Sequence, residues 1–135
     1  MGAVDFSEWA APALELPFEG RIYRVQPPTV EGAKKVLAAA VRGEVKLGLV
    51  AGEVPPEVEA ILATIKPGEH PALGRAYQQM ADDGVPAVTI DRMAYYATFF
   101  WARGREYADR LAVILFAPRE LPTDAEEGGD ADPKV

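Results

Sequence analysis

Apolar side chains recur every second residue near the start of this chain and every three to four residues over most of its remaining length, with Pro27-Pro28 between the two patterns. Leu14-Glu15-Leu16-Pro17-Phe18 and Arg21-Ile22-Tyr23-Arg24-Val25 alternate around Glu19-Gly20, which predicts a β-hairpin with a two-residue turn. The register can be worked out on paper. If Phe18 faces Arg21, then Leu16 faces Tyr23 and Leu14 faces Val25 on one side, while Glu15 meets Arg24 as an opposite-charge pair on the other. Ahead of the hairpin, Asp5-Phe6-Ser7-Glu8 has the spacing of a capping box, with Asp5 capping the amide three residues on and Glu8 reaching back. It predicts a short helical turn that carries Phe6 and Trp9 and closes at Pro12.

After Pro28, Thr29 is a natural N-cap for a helix to about Val41. Ala33, Val36, Leu37, Ala40 and Val41 would face inward, Lys34, Lys35 and Arg42 outward, and Gly43 would end it. Val45 to Gly52 fits a helical turn as well as a strand, because Leu47, Leu49 and Val50 are too few to separate the two periods. Pro55-Pro56 opens a short helix striped by Val58, Ile61, Leu62 and Ile65 and stopped by Pro67-Gly68. Pro71 opens another, striped by Leu73, Ala76, Tyr77 and Met80 and ended at Gly84. Pro86 starts a longer helix that presents Ile90, Met93, Ala94, Ala97 and Trp101 on one face. Tyr95, Tyr96 and Phe99 project roughly opposite, flanked by Arg92 and Arg103. Gly104 separates it from a last helix with Tyr107, Leu111, Ile114 and Leu115 inward, and Pro118 marks the end of order.

These elements make an α+β domain, mostly helical, with four or five helices and an N-terminal β-hairpin over residues 1–118. Residues 119–135 are expected to form a flexible acidic tail, since Pro, Gly, Asp and Glu with few apolar side chains cannot offset the entropy of ordering. Charge sharpens that division. The formal net charge is −7, and the segment from Arg119 to Val135 holds six acids against two bases, hence −4 of it. Such a balance argues against nucleic acid as a partner, because duplex affinity rests on neutralising phosphates with Lys and Arg. No apolar run approaches the ~20 residues of a spanning helix, so no membrane partner is expected. The amino terminus lacks the basic start and apolar core of an export signal, and with no cysteine the expected compartment is the cytoplasm.

The residues that carry chemistry are sparse. His70 is the single histidine and reads as a surface or capping residue before Pro71. Asp82-Asp83 precede a glycine and read as a turn, and Glu106 and Asp109 alternate with Arg105 and Arg110 as an ion-paired solvated face. Ser7 is the single serine, and neither a glycine-rich phosphate loop nor a dinucleotide fingerprint occurs. No enzymatic activity, cofactor or metal is expected. The aromatic cluster from Tyr95 to Trp101 has two readings. Either the hairpin covers its second face, or Tyr95, Tyr96 and Phe99, with Arg92 and Arg103 beside them, form an exposed patch for a partner.

Ala13-Leu14-Glu15-Leu16-Pro17-Phe18-Glu19-Gly20-Arg21-Ile22-Tyr23-Arg24-Val25, taken with Leu73-Gly74-Arg75-Ala76-Tyr77-Gln78-Gln79-Met80 and Asp83-Gly84-Val85-Pro86, resembles the tail assembly chaperones of siphoviruses and prophages of actinobacteria. The similarity spans about Asp5 to Phe116 and is thin between Val30 and Lys66; Ala87 stands where the family pattern often has an aromatic residue. The resemblance implies a protein of the host cytoplasm, outside the mature virion, that attends the tape measure protein during tail building. It also implies a longer form made by ribosomal frameshifting near the end of the reading frame, which would itself be a partner, as would a second copy of the chain. A tape measure is a long helical chain with apolar stripes, and an adaptable aromatic face would cover them reversibly. Gly128-Gly129 is compatible with a guanine-rich slippery run. The alternative function is a structural tail completion or head-to-tail joining protein of the particle.

Overall fold

A computed structural model describes residues 5–117; the expected acidic tail lies outside the described residues. A 3-10 turn (Phe6–Trp9) leads into β1 (Leu14–Phe18) and β2 (Arg21–Val25), followed by α1 (Val30–Lys46), α2 (Pro56–Leu62), α3 (Ala76–Asp82), α4 (Ala87–Arg103) and α5 (Arg105–Phe116). The fold is thus α+β and mostly helical, an antiparallel two-stranded hairpin with five helices.

The hairpin has the expected register, from Phe18 opposite Arg21 to Leu14 opposite Val25. Both turn residues have positive φ, 49° at Glu19 and 83° at Gly20, the backbone of a turn whose twist matches that of the strands. Alternation then puts Leu14, Leu16, Tyr23 and Val25 on the buried face, while Arg24 pairs with Glu15 at 3.0 Å on the exposed one. The Phe6–Trp9 turn is simpler than a capping box. Asp5 accepts from the Ser7 amide, two residues on, at 2.9 Å, and the turn is 3-10.

Thr29 caps α1 as expected, its Oγ1 accepting from the Gly32 amide. The helix does not stop at Gly43. It runs on to Lys46 and ends at Gly48 (φ 78°), where the Leu49 amide donates to the Glu44 carbonyl and that of Gly48 to Val45, the paired bonds of a Schellman cap. The open segment Val45 to Gly52 thereby resolves into the last turn of α1 and its exit. The same cap ends α3, with Gly84 at positive φ and the Val85 amide donating to Met80. The Leu73, Ala76, Met80 stripe is buried, although Leu73 sits in the turns before α3 rather than within it. Gly104 (φ 98°) ends α4 as expected.

Two apolar clusters share α4. One joins the hairpin's inner face to Val36, Leu73, Ala76, Met80, Val85, Ile90 and Ala97, and Trp101 closes over it with its indole N–H donating to the Ala72 carbonyl at 3.2 Å. The other joins Ala40 of α1, Phe99 of α4, and Ala108 and Leu111 of α5. Four inward assignments change as a result. Ala33 and Leu37 of α1 are exposed, the latter at 46%, while Val36, Ala38, Ala40 and Glu44 are buried. Ile114 of α5 is 72% exposed and Leu115 37%, because Ala108, Leu111 and Ala112 turn toward the rings of α4. In both helices small residues face α4, where Phe99 and Tyr95 already occupy the space, and hydrophobic periodicity weights large side chains over small ones. No described helix is long and apolar enough to cross a membrane.

Candidate partner-binding surface

The expected patch on α4 is largely internal. Phe99 is 1% exposed, enclosed by α1 and α5 rather than by the hairpin, so neither reading of that face holds for this ring. Gly43 makes the enclosure possible. A Cβ there would lie 3.1 Å from Phe99 Cζ and 3.2 Å from the Tyr95 hydroxyl, so the glycine that interrupts the apolar pattern of α1 is a contact point between helices. Tyr95 is half-buried between Phe99 (ring centroids 5.2 Å apart) and Phe116 (6.0 Å, edge-on), and burial raises its hydroxyl pKa. Tyr96, also half-buried, donates to Asp109 on α5; burial, reinforced by that bond, pushes its pKa up to about 12.

The two arginines flanking the patch are engaged within the fold. Arg92 lies with its guanidinium 5.5 Å from the Phe116 ring centroid. Arg103 donates through Nε (2.9 Å) and Nη2 (2.8 Å) to the Glu44 carboxylate, which also accepts from the Tyr107 hydroxyl at 2.8 Å. Glu44 is 5% exposed, and a carboxylate so buried is tolerated because a bidentate guanidinium and a hydroxyl replace its water. The Arg103 bonds hold its pKa below the ordinary carboxylate range against the opposing effect of burial. Sequence reasoning missed Glu44, and the one signal for it was a lone acid in phase with Val36 and Ala40 at four-residue spacing.

The remaining candidates fall where chemistry is not concentrated. His70 stacks on Tyr77 with centroids 3.8 Å apart, and burial lowers its pKa although Asp91 acts the other way. Its carbonyl accepts from the Leu73 and Gly74 amides, so the residue opens the turn before α3. Asp83, at the end of α3, accepts from Tyr23 and Arg21 and ties that helix to the hairpin. Glu106 reaches Arg110 at 3.8 Å on an exposed face, while Arg105 lies over the Phe100 ring. Among the described residues, no three His, Asp or Glu side chains converge as a metal site.

Among the described residues, apolar side chains meet water in several places, among them the exit of α1, where Leu47, Leu49 and Val50 are exposed, the outer face of α5 and the amino end. On α5, Val113 is 66% and Ile114 72% exposed, on the face of the helix turned away from the residues that pack on α4. At the amino end Phe6 and Trp9 are exposed and rest edge-on against each other at 5.3 Å. Between α1 and α4 lies a groove of about 550 Å³, walled by Arg42, Lys46 and Leu47 on one side and Asp91 and Thr98 on the other, with Tyr95 and Phe99 in it.

Fold and surface together define a small helical α+β domain with solvent-facing apolar side chains and a sealed aromatic junction. The chain belongs to the DUF7426 family, a domain of unknown function, which matches residues 4–133. No curated protein and no solved structure matches it.

Proposed function

We propose that this domain is a phage or prophage tail assembly chaperone, which binds the tape measure protein in the host cytoplasm and keeps it soluble until the tail tube encloses it. The reading rests on the resemblance of the hairpin and of the Leu73–Pro86 segment to that family. The observation that carries it is the exposure of Val113 and Ile114 on a helix whose other side is packed. Apolar side chains held in water on a rigid helix suit transient cover of an amphipathic partner helix. The contact surface is accordingly moved from Tyr95, Tyr96 and Phe99 to the outer face of α5, with Phe6 and Trp9 as a second apolar point. A longer frameshifted form would keep this domain and exchange only the residues after it.

Co-expression with a tape measure protein tests the proposal. The wild-type chain should hold that protein in the soluble fraction and co-purify with it, and Val113→Ser with Ile114→Ser should lose both effects while melting as before. Unchanged co-purification would remove α5 from the contact surface. Recovery of the chain from finished particles in fixed copy number would instead make it a structural joining or completion protein.

A further inference from the structure

We propose that the acidic C-terminal segment, residues 118–135, folds back into the groove between α1 and α4 and sets its carboxylates against Arg42 and Lys46. The groove presents the half-buried Tyr95 ring, with the sealed Phe99 behind it, and has a basic rim on its α1 side. Neither Arg42 nor Lys46 is in an ion pair among the described residues, and neither lies over a ring as the likewise unpaired Arg92 and Arg105 do. Asp91 stands on the opposite wall, which directs an acidic occupant toward α1.

The chain ends its last helix beside this groove. Phe116 packs edge-on against Tyr95, the ring that also lines the groove, and Arg92 lies over Phe116. From Ala39 to Leu47 the α1 wall rises only about 12 Å. An extended chain covers that length in roughly four residues. Leu121 and Pro122 come first and suit the Tyr95 ring, and Asp124, Glu126 and Glu127 come next, within reach of the rim. The segment's six acids against two bases complement these two cations. The family match runs through residue 133, so the acidic segment lies within the family's own extent. Tethering holds such a segment at a local concentration on the order of millimolar, at which weak contacts suffice.

Because the chain has no cysteine, Gly129→Cys in the full-length protein accepts a single nitroxide spin label, read by amide NMR. The amides of Gly43, Lys46 and Thr98 should broaden selectively while those of Glu15 and Arg24 in the hairpin stay sharp. Arg42→Glu with Lys46→Glu should abolish the broadening without altering the melting curve, since both side chains are exposed. Raising the salt to about 0.5 M, where the screening length falls to roughly 4 Å, should weaken it. Broadening spread evenly over the surface, or indifferent to charge reversal, would overturn the proposal. So would broadening that passes in full from a spin-labelled molecule to an isotope-labelled one lacking the label, because a second copy's tail would then fill the groove.

Discussion

On one side of α4, Ile90, Ala97 and Trp101 meet the hairpin and α3 in an apolar core; on the other, Phe99 is enclosed by α1 and α5 next to a buried ion pair. The first side is held by many aliphatic contacts, and a loss at one position can be shared among its neighbours. The second depends on a few close fits: one ring, one glycine and one carboxylate. Helices that approach this closely do so through small residues, here Ala40, Gly43 and Ala108, so every atom at the junction has a fixed neighbour. Precision of fit therefore matters more on the α5 side, and the apolar side chains left over there, Val113 and Ile114, face water.

The contrast is most sharply tested at Phe99. Phe99→Ala should cost about 4 kcal/mol in denaturant unfolding, in the range for a fully buried ring. Replacing Tyr95, Tyr96 and Phe99 together with Ser should therefore unfold the domain rather than strip a binding face, and a folded triple variant would refute the enclosed junction. Next in size, Arg103→Ala leaves the Glu44 carboxylate buried without its bidentate partner and should cost about 2–3 kcal/mol, at or below the lower end for buried pairs because Arg103 is itself one-third exposed.

The same pair gives the pH dependence. Glu44 has its folded pKa below its unfolded value of 4.5, so its contribution is fully present above that value and is lost as pH falls through the folded pKa. Acid unfolding of Glu44→Gln should accordingly show a shallower loss of stability below about pH 4.5 than that of the wild type. Equal slopes would mean that the carboxylate gains nothing from Arg103.

Gly43→Ala should destabilise by about 1 kcal/mol, because crowding against an immobile ring outweighs the better helix propensity of alanine. Combining it with Phe99→Leu should give less than the sum of the two changes, since the smaller side chain relieves the clash. Additive effects would place the cost of the alanine elsewhere. The smallest effect is expected on the hairpin side, where removing the exposed Glu15–Arg24 pair should change stability by no more than about 0.5 kcal/mol.

The hairpin was legible down to its register, because alternation, turn residues and cross-strand charge all act between residues close in sequence. So were Thr29 as a cap, the α3 stripe, and the glycine stops at Gly84 and Gly104. Gly43 and Glu44 were not legible. A glycine within a helical pattern reads as a stop when the partner that needs its missing side chain lies fifty-six residues away at Phe99, and a glutamate reads as solvent-facing until Arg103 and Tyr107 are brought to it. Ile114 was misplaced for the related reason that only the packing angle of α5 selects which arc of an apolar helix turns inward.

Local chain chemistry sets the α+β make-up, the hairpin and most helix limits, since these follow from period, propensity and caps over a few residues. Which rings are sealed, which apolar side chains meet water and which acid lies in the core follow only from how the helices pack. Those outcomes depend on how closely helices distant in the chain approach one another, and that distance is set by complementary size at the contact rather than by any local pattern.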